Sequence, residues 1–241
     1  MAALEVSELT VEVASRIVVR DVSFKVQSGE LHVLLGPNGS GKTTIINAIM
    51  GVPGYRVVKG SIKLDGVDIT GRPVDERARL GIGVMFQRPP SIKGVKLGEL
   101  ATRIAQIHGS KLPSVDLNIS SLLSRDLNVG FSGGEAKRSE LYLLLSQRPK
   151  IALLDEPDSG VDVENLALIG KAISSLLEAG AGVLIVTHLG YIMRHIPTKT
   201  KAYVLIDGRI ACRGDPETVL NDILEMGFDW CRECETPLAN S

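Results

Sequence analysis

The chain has 241 residues, of which 44% are hydrophobic and 23% charged, enough to bury the core of one large or two small globular units. Its 27 basic and 28 acidic residues give a net charge of −1, which offers no field for nucleic acid or an anionic membrane. Apolar runs such as IALL are far shorter than the roughly 20 residues that span a bilayer, and the acidic N-terminal stretch is unlike a signal peptide. We therefore expect a cytoplasmic protein without a nucleic-acid partner or direct membrane insertion.

The first third of the chain is predicted to be mainly strands. Apolar and polar residues alternate in LEVSELTVEV, DVSFKVQ and LHVLL, and the breaks at ASR and SGE indicate tight turns. A helix is predicted from Lys42 to about Met50. It is followed by the strand SIKLDG, which turns at Asp65 and Gly66, and by the apolar strand IGVMF at 82–86.

The rest of the chain alternates helices with buried strands. Between Gln87 and Arg125 the periodicity becomes helical, and we expect Leu97, Leu100, Ile104 and Ile107 to share one face in an inserted helical subdomain, 88–147. A helix from GFSGGE to about Gln147, the strand IALLDE, a helix at 163–178, the strand GVLIVTH and the hairpin AYVLIDGRIACRG follow. A helical segment is expected at 215–241. This alternation favours a parallel sheet that is covered on both faces.

The stretch GPNGSGKT at 36–43 follows a predicted strand and opens a predicted helix, which is the context of a phosphate-binding loop. Glycines allow successive N–H groups to turn toward a phosphate, Lys42 reaches the terminal phosphates, and the hydroxyl of Thr43 is suited to Mg²⁺. A plain glycine-rich turn is the alternative. The predicted nucleotide-binding residues are Gly36, Pro37, Asn38, Gly39, Ser40, Gly41, Lys42, Thr43 and Thr44.

Four polar residues follow three other predicted strands, at the edge where open α/β sheets bind ligands. We expect Asp155 to hold Mg²⁺ through water and Glu156 to take a proton from the attacking water. His188 is predicted to contact the γ-phosphate, although a lone histidine is more often structural. Gln87 is predicted to orient water and to help bind the metal, so the predicted metal-binding residues are Thr43, Gln87 and Asp155.

The stretch GFSGGE places Ser132, Gly133 and Gly134 at the start of a predicted helix, where backbone N–H groups without intrahelical acceptors favour an anion. The phosphates of the chain's own site are already assigned to residues 36–43. We therefore expect a second copy of the chain to supply the anion, with two shared sites related by a two-fold axis. A capped turn without a partner is the alternative.

Together, the phosphate loop, Gln87, FSGGE, LLDE, SGVD and His188 resemble the ATP-binding-cassette ATPases over essentially the whole chain, 1–241. NVGFSGGEAKR, LLDEPDSGVDVENL and the C-terminal stretch resemble more narrowly the SufC group, the ATPase subunits of SUF iron–sulfur cluster assembly. The resemblance implies an α/β phosphate-loop NTPase fold of the ABC type. That fold has a mainly parallel core sheet, a small antiparallel β subdomain and an inserted helical subdomain.

The same resemblance implies the ligands and partners. ATP with Mg²⁺ would drive dimer closure, Ser132 and Gly134 would contact the partner subunit's γ-phosphate, and Asp162 would couple the two sites. It also implies scaffold proteins of the SufB and SufD type, received near Gln87 and RPPSIKG. Three other functions are possible for this pattern. The first is the nucleotide-binding subunit of a membrane transporter, and the second is a DNA-maintenance cassette, for which the stretch between residues 87 and 131 is short. The third is a nucleotide switch without turnover, which would not need Glu156.

Two features depart from the cassette pattern. Val13 stands where an aromatic residue usually stacks on adenine, so we expect weaker discrimination between ATP and GTP. Cys231 and Cys234 form a CxxC near the C-terminus, with Cys212 elsewhere. A single CxxC supplies only two of the four thiolates that a cluster usually takes, so a structural role is favoured over metal or redox chemistry.

Overall fold

The computed structural model describes residues 3–188, 190–197 and 201–233, which form two main sheets and six α-helices. The strands are β1 Ala3–Val13, β2 Arg16–Gln27, β3 Leu31–Leu35, β4 Tyr55–Leu64, β5 Val67–Asp68, β6 Ile82–Met85, β7 Ile92–Lys96, β8 Asp126–Leu127, β9 Ile151–Asp155, β10 Gly182–Thr187, β11 Lys201–Ile206 and β12 Arg209–Gly214. The helices are α1 Lys42–Met50, α2 Val74–Leu80, α3 Leu97–His108, α4 Gly133–Gln147, α5 Val163–Glu178 and α6 Pro216–Glu233.

The core is a six-stranded sheet in the order β12-β11-β3-β10-β9-β6, parallel except for the hairpin strand β12. Strands β3, β9 and β10 are buried along their whole length, as expected of a sheet with both faces covered. Alternate residues pack into two different apolar clusters, with Val33 in one and Leu34 in the other. The prediction of a mainly parallel, doubly covered sheet is confirmed, and all its parallel strands end at one edge.

An antiparallel sheet in the order β2-β1-β4-β5 packs beside the core, which confirms the predicted β subdomain. Strand β4 begins at Tyr55, six residues before the predicted SIKLDG strand, because Tyr55 pairs with Val13 at the end of β1. Much of this first half of β4 is exposed, so its hydrophobic alternation is weak. The predicted turn at Asp65 and Gly66 is present, with a left-handed backbone at both residues.

The helical region differs in detail from the prediction. Helix α3 buries Leu97, Ala101 and Ala105, which recur every four residues and so define one face. Ile107 lies about 120° around the helix from the centre of that face, at 3.6 residues per turn, and it is 62% exposed. Of the four residues predicted to share a face, Leu97 is therefore buried and Ile107 is exposed. Between α3 and α4 the chain forms only β8 and a short 3₁₀ turn at Ser120–Leu122, so less of 87–125 is helical than predicted.

The C-terminal part begins with the predicted hairpin β11–β12, which turns at Asp207 and Gly208. Helix α6 then runs to Glu233 with a kink at Gly227, a non-helical residue whose positive φ of 75° with ψ 176° favours glycine. Cys212 and Cys231 are buried in the core, whereas Cys234 lies outside the described residues, so the predicted CxxC pair is not described. Of the helices in the described ranges, none combines the length and apolar character that a bilayer crossing requires.

Candidate nucleotide site

The loop between β3 and α1 is shaped by its glycines. Gly41 caps α1 with a φ of 106° and Gly39 has a φ of 80°, both in the region that residues with a Cβ rarely adopt. A Cβ at Gly36 would collide with the carbonyl oxygen of Leu205 on the neighbouring strand. The loop borders a cavity of about 340 Å³, which is also lined by Gln87 and Glu156.

Lys42 lies inside this loop and is only 5% exposed. Its Nζ donates hydrogen bonds to the carbonyl oxygens of Gly36 at 2.8 Å and Pro37 at 3.0 Å, and lies 3.9 Å from Oε1 of Glu156. Burial lowers the pKa of Lys42, while the nearby Glu156 and Asp155 carboxylates oppose that shift. The ammonium group is therefore already positioned among the loop's backbone groups.

Thr43 and Asp155 are joined by a hydrogen bond across the site. The Thr43 hydroxyl donates to Oδ1 of Asp155 at 3.1 Å, and Asp155 is the buried last residue of β9. Burial raises the pKa of Asp155, the hydrogen bond from Thr43 lowers it, and the negative charge of Glu156 raises it further. A hydroxyl and a carboxylate at this separation, with the Gln87 amide on the same cavity, are oxygen ligands of the kind that Mg²⁺ prefers.

Glu156 and His188 meet at the same edge. Oε2 of Glu156 is 2.7 Å from Nδ1 of His188, and the Glu156 backbone N–H donates to the Val186 carbonyl at 2.8 Å. Glu156 has a φ of 50°, a left-handed conformation that costs a residue with a Cβ about 1–3 kcal/mol. That conformation holds the buried carboxylate between Lys42 and His188.

The start of α4 is closed by a capping box. The Ser132 hydroxyl accepts from the Glu135 N–H at 3.2 Å, and the Ser132 N–H donates to Oε2 of Glu135 at 2.8 Å. The expectation that the Ser132 N–H has no acceptor within the helix was therefore wrong. The Gly133 and Gly134 N–H groups stay at the positions where a helix start has no intrahelical acceptor. The Ser132 hydroxyl also retains its own proton for donation.

The start of α5 packs against the start of α4. Asp162 caps α5 by accepting from the Asn165 N–H at 2.8 Å, and the Asn165 side chain lies where a Cβ on Gly134 would be. Ser132, Gly133 and Asp162 are exposed. None of these three residues, nor Gly134, is among the described residues that line the phosphate-loop cavity. The structure thus brings together Lys42, Thr43, Gln87, Asp155, Glu156 and His188, and keeps Ser132, Gly133, Gly134 and Asp162 on a second surface.

Comparison with known proteins agrees with this arrangement. A family profile described as "ABC transporter" matches residues 19–159. The chain belongs to the ABC transporter ATPase family. Vegetative protein 296 of Bacillus subtilis is 37% identical, with 95% of this chain and 93% of that protein covered. The probable ATP-dependent transporter ycf16 of Cyanidium caldarium is 31% identical, with 90% and 91% covered.

Solved structures place this ABC ATPase in the same fold. A nucleotide-free ATP-binding cassette from an ABC transporter superposes with a TM-score of 0.76 at 26% identity, covering 93% of this chain and 96% of that one. The predicted ABC-type phosphate-loop fold and the ATPase activity are therefore confirmed. Members of this family bind ATP, normally with Mg²⁺, and typically dimerise and associate with transmembrane or other subunits.

Lys137 is a site residue that the sequence analysis missed. It lies on the buried face of α4 and its Nζ donates to the carbonyl oxygens of Gln87 at 3.1 Å and Glu156 at 2.9 Å. Burial lowers its pKa, and the surrounding carboxylates, led by Asp155, oppose the shift. A signal was available, because positions 137, 141 and 144 recur at helical spacing and the other two are leucines. Lys137 therefore connects helix α4 to the two loops that follow β6 and β9 in this ABC ATPase.

We expect the Lys137→Met substitution to loosen these two loops. Methionine fills similar space but removes the hydrogen bonds to the Gln87 carbonyl and to the buried Glu156 carbonyl, which keeps only the Ser159 N–H as a donor. Hydrogen bonds from a charged group contribute about 1.5–3 kcal/mol. The free energy of unfolding in urea should fall by about that amount, and ATP turnover should fall as well. The exposed Lys171 on α5 provides the matched Lys→Met control, which should change neither quantity. Equal behaviour of the two variants would contradict the assigned role of Lys137.

Proposed function

We propose that this chain is the ATP-hydrolysing subunit of an iron–sulfur cluster assembly system of the SUF type. The observation that carries this choice is the sequence of the two stretches at the start of α4 and after β9, NVGFSGGEAKR and LLDEPDSGVDVENL, which resemble the SufC group. Transport cassettes more often have LSGGQ and DEPTSALD. The proposal implies a cytoplasmic protein with SufB- and SufD-like scaffold partners.

Glu156 is assigned as the general base of hydrolysis. Its carboxylate is buried at the edge of the phosphate-loop cavity, where it can accept the proton of an attacking water. The 2.7 Å contact with His188 fixes one carboxylate oxygen and presents the histidine to the same space. We propose that His188 donates to the γ-phosphate and that Lys42 moves from the Gly36 and Pro37 carbonyls onto the terminal phosphates.

The nucleotide and metal are assigned to residues on three strand ends. The backbone of residues 36–44 would surround the phosphates, and the Thr43 hydroxyl, Asp155 and the Gln87 amide would hold Mg²⁺. When bound, Mg²⁺ neutralises charge on the phosphate oxygens. Val13, predicted to face the base, is half-buried at the end of β1 but does not line the phosphate-loop cavity among the described residues, whereas Val18 of β2 does. Either side chain would offer a base only an apolar surface.

We further propose that a second copy of the chain completes each site. Ser132 and Gly133 are exposed at the start of α4, and the hydroxyl proton of Ser132 and the N–H groups of Gly133 and Gly134 favour an anion. Val163, 74% exposed beside Asp162, is an apolar side chain on the same surface. A head-to-tail dimer would bring this surface onto the partner's γ-phosphate and cover Val163.

Glu135 gives a prediction about the strength of that dimer. Hydrogen bonds from Ser132 lower the pKa of Glu135, so a negative charge stands at the surface that would meet the partner's γ-phosphate. In Glu135→Gln, the amide oxygen still accepts from the Ser132 N–H but the repulsion is removed. We expect ATP-dependent dimerisation to tighten about 2- to 5-fold at low salt, typical of an exposed charge pair, and the gain to shrink at high salt.

Analytical ultracentrifugation with ATP measures this difference at two salt concentrations. The Glu178→Gln substitution, which removes an exposed acid from the opposite end of α5, is the control for a general change in net charge. A Glu135→Gln dimer no stronger than the unmodified chain at low salt would contradict the contact between this helix start and a phosphate.

The biological partner is tested by affinity purification of the Glu156→Gln chain from its own cells with ATP and Mg²⁺. Recovery of soluble scaffold proteins would support iron–sulfur cluster assembly. The second candidate, a nucleotide-binding subunit of a membrane transporter, is favoured by the printed names of several relatives, such as the probable ABC transporter ATP-binding protein of Streptococcus pyogenes serotype M3, 36% identical. Recovery of a polytopic membrane protein would decide for that candidate.

A further inference from the structure

A second polar cavity of about 600 Å³ lies between the antiparallel sheet and the core sheet. Its walls come from β1 and β2 on one side and from β3, β11 and β12 on the other. His32 is near the start of β3 and Lys201 is the first residue of β11, whereas the phosphate loop follows the end of β3. The cavity is therefore at the opposite edge of the parallel sheet from the nucleotide site, and the ATPase mechanism does not use it.

The floor of this cavity is a chain of three hydrogen-bonded side chains. Nε2 of His32 lies 3.1 Å from Oε2 of Glu30, and the Tyr203 hydroxyl lies 3.3 Å from Nδ1 of His32. A carboxylate only accepts, so Nε2 carries the proton and Nδ1 accepts from the Tyr203 hydroxyl. Burial lowers the pKa of His32 and raises that of Tyr203 to about 12, so both are neutral at pH 7. The Tyr203 oxygen retains acceptor capacity toward the cavity.

The charges around this floor are unbalanced. Glu5 is paired with Lys25 at 2.6 Å, whereas Glu30 accepts hydrogen bonds from the neutral His32 and from the Gln27 N–H and keeps its negative charge. With Lys201 and Arg213 included, three cationic and two anionic side chains line the cavity, a net charge of +1. Within the described residues, neither Lys201 nor Arg213 has an ion-pair partner, although both line the cavity. Nε of Arg213 is buried and has no hydrogen-bond partner there. A buried Nε–H without an acceptor is costly. Because Nε is out of contact with solvent, an anion in the cavity would be bound by the terminal Nη groups of the Arg213 guanidinium and not by Nε.

We propose that this cavity binds a small organic oxyanion, a carboxylate or phosphate attached to an apolar body. Arg213 and Lys201 would bind the oxyanion. The Phe24 ring, 5.9 Å from the Tyr203 ring, provides the apolar wall for the rest of the molecule. A cavity of this volume lies within the range of about 300–1,000 Å³ that is typical of small-molecule sites. The site is independent of the proposed cluster-assembly function.

Three small probes test the proposal on the full chain: benzoate, phenyl phosphate and the neutral benzamide, with saturating ADP and Mg²⁺ to occupy the phosphate loop. Binding is followed by NMR with ¹³C-labelled tyrosine rings. The Tyr203 signal is identified as the one that is missing from the spectrum of the Tyr203→Phe variant. We expect a saturable change in the chemical shift of this signal with benzoate, phenyl phosphate or both. The probe that binds more tightly shows whether the site prefers a carboxylate or a phosphate. The absence of a saturable shift up to about 10 mM probe, which means binding weaker than about 2.7 kcal/mol, would overturn the proposal. Equal binding of benzamide would overturn it as well.

Arg213→Gln should weaken binding of the oxyanion probe about 10- to 100-fold, the loss expected for a charge-assisted hydrogen bond. Arg209→Gln, an exposed arginine on the same strand β12, is the matched control and should bind as the unmodified chain does. Unchanged affinity in Arg213→Gln would overturn the assignment of Arg213. If that variant does not fold, the comparison of benzoate and phenyl phosphate with benzamide on the unmodified chain still decides whether the site selects an oxyanion.

Discussion

The Glu156→Gln chain is expected to hydrolyse ATP at least about 100-fold more slowly than the unmodified chain, since general bases contribute about 10²–10⁴-fold, and to keep its affinity for ATP. Glutamine is nearly the same size and keeps one oxygen toward His188, but it cannot accept the proton of the attacking water. Without hydrolysis, an ATP-bound dimer should accumulate. Steady-state phosphate release, ATP binding and size-exclusion chromatography with ATP and Mg²⁺ measure the three effects.

Two companion variants make this experiment specific. Glu99→Gln makes the same chemical change at an exposed position on α3 and should leave turnover unchanged. His188→Gln removes the imidazole at 2.7 Å from Glu156 and should also reduce turnover. If the Glu156→Gln chain hydrolyses ATP at the normal rate, the base is another group. If the unmodified chain shows no turnover and the variant behaves in the same way, the chain acts as a nucleotide switch.

The parts of the site that could be predicted are those that local geometry determines. Asp155, Glu156 and His188 lie at or next to the ends of parallel strands, and such ends meet at one edge of a sheet. Lys42 and Thr43 begin the helix that follows the glycine-rich loop after β3. Their predicted proximity is observed in the Thr43–Asp155 and Glu156–His188 hydrogen bonds. Nothing local to GFSGGE, by contrast, could place Ser132 relative to a second copy of the chain.

The details that could not be predicted depend on tertiary contacts. Lys137 is buried because two loops distant in sequence present carbonyl oxygens to it. Ile107 is exposed because it lies away from the face of α3 that carries the buried residues Leu97, Ala101 and Ala105. The capping box of α4 is a different case, since serine followed three residues later by glutamate is a sequence signal for it. The early start of β4 depends on pairing with β1, which a weakly alternating stretch does not reveal.

Mixing two inactive variants is expected to restore ATP hydrolysis. Lys42→Ala removes the ammonium group that would bind the phosphates, and Ser132→Arg blocks the exposed start of α4. Each variant alone loses both of its sites, since in a head-to-tail dimer every site combines the phosphate loop of one copy with the α4 surface of the other. A mixed dimer carries both lesions in one site and neither in the other. With random pairing and independent sites, about a quarter of the normal activity should return.

The control mixture combines two variants whose substitutions both lie in the phosphate loop. Lys42→Ala mixed with Thr43→Ala places one phosphate-loop lesion in each site, so no mixed dimer has an intact site and activity should stay low. Heterodimer formation is verified in both mixtures with two different affinity tags. If Lys42→Ala with Ser132→Arg stays as inactive as the control while heterodimers form, each chain completes its own site. The anion that the start of α4 favours must then be something other than the partner's γ-phosphate, and Val163 would need a different surface to cover it.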